Sequence, residues 1–215
     1  MTYVMADIHG ELSRFLLMLR KIGFGPEDTL YVLGDVVDRS IGGVTLLQWI
    51  MDTDNICLLR GNHEWMMQQA FEPEGDEGAL RRWFACGGDV TYRAMQELDS
   101  GEREKLLAFL DVLPEELDIT VSGRQYHLVH ARPGKRSRER LWHRPWMGET
   151  FFSDRTVILG HTPTACFGAV SPQDGSQRIH RDKGFIAIDC GCGHMKDPSR
   201  RLACLRLEDE AEFYV

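Results

Sequence analysis

A chain of 215 residues of which 43% are hydrophobic can bury a core of domain size, which excludes a predominantly disordered protein. With 33 acidic against 25 basic residues and a formal net charge of -8, it repels nucleic-acid backbones, so nucleic acid is not an expected partner. No basic-then-apolar leader and no run of about 18 apolar residues occurs, and the six cysteines (Cys57, Cys86, Cys166, Cys190, Cys192, Cys204) match no structural zinc spacing; a soluble cytoplasmic protein with free thiols and no membrane partner is expected.

The first third alternates apolar runs with helical periodicity, the pattern of βαβ units. Tyr3-Val4-Met5-Ala6 leads into Asp7-Ile8-His9-Gly10, after which Leu12, Phe15, Leu16 and Leu19 recur at helical spacing. Thr29 to Leu33 ends at Gly34-Asp35 and is followed by a helical pattern through Val44, Leu47, Ile50 and Met51. Ile56 to Leu59 ends at Arg60-Gly61-Asn62-His63. Each polar cluster sits where a strand has just finished, the place where open α/β sheets bind ligands. From about Phe71 to Leu113 the chain reads as helical, with an acidic segment at Glu72 to Glu77 and a Gly87-Gly88 break, and is expected to form an insertion packed on the core. Strands return at Leu117 to Val121, Gln125 to Val129, Thr156 to Leu159, Phe185 to Ile188 and Leu202 to Leu207, suggesting a second sheet packed on the first.

Asp7 and His9, two apart in what reads as an extended segment, would point the same way and grip one ion, with Gly10 turning the backbone away. Asp35 or Asn62 alone could be a helix cap. Three strand endings rich in Asp, Asn and His point instead to a metal site, and Asp35, whose strand lies between the other two in sequence, is the candidate to bridge two cations. His130 ends the Tyr126 to Val129 run and His161 ends the Thr156 to Gly160 run, so both join as ligands. His127, His143, His180 and His194 lack that setting and read as hydrogen-bonded structural residues.

Asp7-Ile8-His9-Gly10, Gly34-Asp35-Val36-Val37-Asp38-Arg39, Gly61-Asn62-His63-Glu64, His130-Ala131 and Gly160-His161-Thr162-Pro163 together resemble the ordered motifs of metallophosphoesterases of the phosphoprotein phosphatase type, most closely the short bacterial and lambda-phage serine/threonine phosphatases. The resemblance implies a single domain over 1–215 with a four-layer αββα-like α/β fold, two packed mixed β-sheets flanked by helices, a helical insertion at about 71–113 and a basic loop segment at about 131–155. It implies one ion held by Asp7, His9 and Asp35 and a second by Asp35, Asn62, His130 and His161. Mixed oxygen and nitrogen ligands suit manganese, the expected metal, or iron or zinc better than calcium. Metal-bound hydroxide would attack phosphorus in line, with no Gly-x-Ser-x-Gly elbow to suggest a serine nucleophile.

The same resemblance makes His63 the general acid, Asp38 its partner, and Arg39 and Arg144 the phosphate clamp, with Asn62 and His63 also touching phosphate. Asp38 pairing with Arg39 on a surface turn is the competing reading. Five other basic residues near Arg144 (Arg132, Lys135, Arg136, Arg138, Arg140) could reach inward in its place. Ser40 stands where the family usually has Gly, and is expected to cap a helix starting near Gly42. The expected substrate is a phosphorylated protein or peptide, or a small phosphoester. A diadenosine polyphosphate hydrolase of the same superfamily, which commonly carries Ala in place of Asp38, and a catalytically silent phosphate-binding protein are the alternatives.

Overall fold

Short runs of β-branched, aromatic and apolar residues at Thr2–Met5 (β1), Thr29–Val32 (β2) and Ile56–Leu58 (β3) pair in parallel, joined by helices Leu12–Ile22 (α1) and Gly43–Met51 (α2). The computed structural model describes residues 1–72 and 77–215. Of the acidic segment from Glu72 to Glu77, residues 73–76 lie outside the described residues. Four helices, Asn62–Phe71 (α3), Glu77–Ala85 (α4), Asp89–Glu97 (α5) and Ser100–Asp111 (α6), follow β3 before the next described strand. α6 begins with a reciprocal cap: Glu102 N–H donates to Asp99 Oδ1 (2.8 Å) and Asp99 N–H to Glu102 Oε2 (3.0 Å).

The second sheet is built from Glu116–Val121 (β4), Arg124–Val129 (β5), Thr156–Leu159 (β6), His180–Arg181 (β7) and Phe185–Ala187 (β8), in the order β4-β5-β6-β8-β7. β5, β6 and β8 run parallel to one another. The Leu202 to Leu207 run does not join this sheet. Its core, Ala203–Arg206 (β9), pairs antiparallel with β1, and Glu212–Tyr214 (β10) closes the edge, giving a first sheet ordered β10-β9-β1-β2-β3. In that position it is buried on both faces: Ala203 and Leu205 pack between the sheets while Cys204 packs toward the helices. The basic segment is not loop throughout, because Ser137–Trp142 forms a short helix (α7).

Strand periodicity sorts the core into layers. Val4, Ala6, Leu33 and Leu59 of the first sheet meet Tyr126, Leu128, Ile158 and Ile186 of the second. Tyr3, Met5, Leu30 and Val32 face the other way, onto Phe15, Met18, Leu46 and Leu47 of α1 and α2. The outer face of the second sheet, Val129, Val157, Leu159 and Phe185, is covered by Phe151, Phe152 and Phe167, the last in a 3-10 turn. Two mixed sheets flanked by helices are therefore the architecture, as the resemblance implies. No helix among the described residues is long and apolar enough to cross a membrane, and all six cysteines are free thiols.

Leu47, fully buried on the inner face of α2, should make the layer boundary measurable. In urea unfolding, Leu47→Ala is expected to lower stability by about 2–5 kcal/mol, whereas Leu17→Ala, on the 52% exposed outer face of α1, should change it by no more than about 0.5 kcal/mol. Equal losses would contradict the packing described.

Candidate active site

The parallel strands of both sheets end at one cleft. β1 delivers Asp7 and His9, β2 delivers Asp35, Asp38 and Arg39, β3 delivers Asn62 and His63, β5 delivers His130, and β6 delivers His161. Asp7, His9, Asp35, Arg39, Asn62, His63, Arg144 and His161 line the cleft directly, with His130 and Asp38 fully buried behind it. Six of these residues have left-handed backbone: Asp7 (φ 53), His9 (48), Asp35 (54), Asp38 (74), Arg39 (67) and His161 (60). Such conformations cost on the order of 1–3 kcal/mol each and persist where surrounding structure over-determines them. The expectation that Asp7 and His9 occupy an extended segment is corrected here. The chain turns left-handed at both, and their N–H groups donate to Gly34 O (3.2 Å) and Asp35 O (2.9 Å) of the neighbouring strand end.

Lone pairs face lone pairs in this cluster. His130 Nδ1–H donates to Leu33 O (2.7 Å), which leaves Nε2 unprotonated in the neutral ring, 2.9 Å from Asn62 Oδ1 and 3.5 Å from Asp35 Oδ1. His161 Nδ1 lies 3.2 Å from that same Nε2 and 3.0 Å from Asn62 Oδ1. His9 Nδ1–H donates to Val37 O (3.0 Å), aiming its own Nε2 at Asp35 Oδ2, 3.7 Å away. Backbone carbonyls thus fix the tautomers, a usual device for ligand imidazoles. Ligand atoms fall into two compact groups, His9–Asp35–His63 and Asp35–His130–His161, with Asp35 in both. Asp7 does not join the first group; its carboxylate oxygens accept the His161 N–H at 3.1 and 2.9 Å.

Burial pushes Asp7 well above the usual carboxylate range, and the charges of Asp189 and Asp35 push it further. Asp189 is pushed up to about 6 by burial. Burial alone would also raise Asp35, but the imidazoles of His130, His63 and His9 outweigh it and hold the carboxyl low. Burial, with His63 and Arg39 nearby, depresses His9, and burial with His130 lowers His161 to about 3. Imidazoles depressed at His9 and His161, crowded against the Asp7 and Asp35 carboxylates, are a donor set that suits divalent cations, so the residues fit such ions.

Beside the cluster, His63 Nδ1–H donates to Asp38 Oδ2 at 2.6 Å, and Asp38 is 0% exposed. Asp38 therefore pairs inward with His63, not with Arg39 on a surface turn. Burial opposes charge on His63, yet Asp35 and the Asp38 hydrogen bond outweigh it and raise its pKa. Arg39 Nη2–H donates to His63 Nε2 (3.2 Å). Of the basic residues in this segment, Arg144 lines the cleft and Arg132, Lys135, Arg136, Arg138 and Arg140 do not; Arg132 is tied to Glu149 and Arg140 to Glu115 (2.7 Å). Ser40 does not cap α2. Gly42 stands at that N-cap, and Ser40 Oγ–H donates to Glu11 Oε1 (2.7 Å). The left-handed turn falls on Asp38 and Arg39, so Ser40 needs no glycine-like backbone.

Several lining or supporting residues, Asp189, Glu64 and His194 among them, escaped the sequence reading. Asp189 follows β8 as His161 follows β6, so the strand-end rule could have found it. Glu64, fully buried, closes the Gly61-Asn62-His63-Glu64 motif but received no role; its carboxylate accepts N–H bonds from Asp35 (2.8 Å), Val36 (2.8 Å), Val37 (3.3 Å) and Gly61 (3.0 Å). Gly61 must stay bare, because a Cβ there would sit 2.3 Å from Asp35 Oδ1. His194, read as structural, also lines the cleft.

Over 130 residues, 60% of this chain and 57% of the other, the sequence is 32% identical to serine/threonine-protein phosphatase 2 of Salmonella typhimurium; the match therefore spans little more than half of that relative. Over 65 residues, 29% of this chain and 23% of the other, it is 35% identical to the symmetrical bis(5'-nucleosyl)-tetraphosphatase of Salmonella arizonae. A metallophosphoesterase from Sphaerobacter thermophilus superposes with a TM-score of 0.64 at 17% identity, covering 100% of this chain and 87% of that one. A serine/threonine phosphatase from Saccharomyces cerevisiae does so with a TM-score of 0.63 at 15% identity, covering 100% and 78%; at these identities the likeness is one of fold. The family model of calcineurin-like phosphoesterases matches residues 2–195, and the chain belongs to that family.

Proposed function

We propose that this phosphoesterase is a dinuclear-metal phosphomonoester hydrolase acting on phosphoserine and phosphothreonine in proteins or peptides. One observation carries the reading: the buried Asp38–His63 pair, 2.6 Å apart, opens on a cleft that also holds Arg39 and Arg144. Asp7, His9, Asp35, Asn62, His130 and His161 would hold the two cations, Asp35 between them, with manganese, iron or zinc suited to the donors. Bound there, divalent cations supply positive charge to the phosphoryl oxygens and acidify bound water.

The chain's own groups supply orientation and a proton. Arg39 and Arg144 offer guanidinium forks to phosphoryl oxygens, giving charge and alignment together. His63, with Nδ1–H held by Asp38, keeps Nε2 beside Arg39 at 3.2 Å. When His63 is protonated, these two cationic groups repel, and a phosphate dianion between them offsets the repulsion. The Nε2 proton then passes to the departing oxygen.

Leaving-group chemistry weighs between substrate classes. A serine or threonine alkoxide leaves poorly and needs that proton. A nucleotide leaves as a phosphate anion stable at neutral pH and gains little from a dedicated acid. Similarity to the Salmonella arizonae tetraphosphatase favours dinucleoside polyphosphates as the second reading, and the acid pair favours the monoester. A silent phosphate-binding protein would be expected to lack a ligand or a clamp, and the Asp38–His63 pair beside Arg39 and Arg144 supports a hydrolase instead.

With manganese-loaded protein, kcat/KM for a phosphoserine peptide should exceed that for diadenosine tetraphosphate; the reverse order would install the second reading. Asp35→Asn should reduce bound metal, counted by elemental analysis, together with turnover, and retention of two ions would remove its bridging role. His63→Asn should keep metal binding while slowing phosphoserine turnover by roughly 10²–10⁴; unchanged turnover excludes it as the acid.

A further inference from the structure

The Asp38–His63 pair is held from a direction the β-sheet frame does not supply. Asp38 Oδ2 accepts two hydrogen bonds, one from His63 Nδ1–H (2.6 Å) and one from the indole Nε1–H of Trp83 (2.7 Å), while Oδ1 has no partner among the described residues. The Asp38 N–H donates to Thr91 Oγ1 (2.9 Å), and the next N–H, of Arg39, donates to Gly87 O (3.0 Å). Trp83, Gly87 and Thr91 lie on α4, on the turn after it and on α5, so one helical hairpin grips two successive left-handed residues.

Trp83 is built to point one way. It is 0% exposed and packs edge-on against Phe71 (6.0 Å between centroids) and Tyr92 (6.3 Å). At Gly88 an added Cβ would lie 2.3 Å from its Nε1, so the Gly87-Gly88 break leaves room for the indole. An indole nitrogen has only a donor, and when buried it needs an acceptor. Here that acceptor is the carboxylate oxygen on which His63 depends. With both bonds on one oxygen, the indole restrains rotation of the carboxylate and so keeps its lone pair on the imidazole.

We infer that Trp83, seconded by Thr91, is a positioning residue for the reaction, acting through Asp38 to hold His63 in register with the leaving oxygen. The inference rests on the acid role proposed above for His63. It makes the helical segment between β3 and β4 part of the catalytic apparatus rather than only a cover for the core. The competing role is that of a large core ring whose N–H merely found an acceptor.

Trp83→Phe separates the two, since it keeps a ring in the core and removes only the donor and its half of the indole. Turnover of manganese-loaded protein would be measured on a phosphoserine peptide and on p-nitrophenyl phosphate, whose phenolate departs without a proton. The expected result is a loss on the order of 10-fold in kcat for the peptide, a smaller loss for p-nitrophenyl phosphate, and little change in KM. In a His63→Asn background the same substitution should cost nothing further, because the two act as a unit. Equal losses on both substrates, or a full additional loss in the His63→Asn background, would overturn the positioning role. If His63→Asn itself fails to discriminate between the substrates, the acid assignment falls and this inference falls with it. If His63→Asn discriminates and Trp83→Phe does not, the inference alone fails. Thr91→Val, nearly the same in volume but without the hydroxyl acceptor, carries the same comparison should Trp83→Phe not fold by circular dichroism.

Discussion

Five successive backbone N–H groups, those of residues 35 to 39, are the constraint on which the site depends. They lie in a loop that must leave the β-region at Asp35, Asp38 and Arg39, so they have no ladder to pair with, and a buried unpaired N–H costs about 1–3 kcal/mol. Glu64 takes the first three: Asp35 N–H donates to Oε2, and Val36 and Val37 N–H to Oε1. Thr91 Oγ1 takes the fourth and Gly87 O the fifth. The loop is therefore gripped by α3 over the metal-facing half and by the α4–α5 hairpin over the half that carries Asp38 and Arg39.

Glu64 also ties that loop to the next one. Its Oε2 accepts Gly61 N–H at the start of α3 as well as Asp35 N–H, and His63 N–H donates to Asp35 Oδ1 (3.1 Å). Asp35 and Asn62 are thereby set against each other by main-chain bonds, before any ion is considered. Such a network carries a cost: burial raises Glu64 above its ordinary pKa, and the charge of Asp35 adds to this. Four N–H donors offset that by hydrogen-bonding the charged form. Asp7 and Asp189, which line the cleft with fewer such donors, are likewise pushed up by burial.

How much of this could be read from the chain follows from which physics is local. The strand endings were legible because an apolar run that stops at Asp, Asn or His is a one-dimensional signal, and parallel strands carry such endings to the same edge. The sheet membership of Leu202 to Leu207 was not legible, since pairing with β1 spans nearly the whole chain and leaves no mark on periodicity. Nor was the left-handed turn at Asp7 and His9. Asp and His tolerate that conformation, but nothing in Asp7-Ile8-His9 demands it; the demand comes from the Gly34 and Asp35 carbonyls lying alongside. Ser40 misled for a related reason. A Gly-to-Ser departure looks like a change of backbone, yet the strain sits one and two residues earlier. Arg144 could be picked from its basic neighbours only once the cleft was seen to be lined by it and by none of them.

The candidate metal ligands and Asp38 are thus held in part by different elements, and that separation bears on how such a site can vary. The candidate cation ligands hang on strand ends and on the loop that Glu64 of α3 holds. Asp38 is the one acidic side chain in the loop whose carboxylate and N–H both depend on the α4–α5 hairpin. A change in that hairpin can therefore loosen Asp38, and His63 with it, while leaving the strand-end residues in place. With His63 as the proposed acid, substrates whose leaving groups need no proton would tolerate such a change and alkoxide leaving groups would not, so the α4–α5 hairpin would bear on which class of ester is turned over.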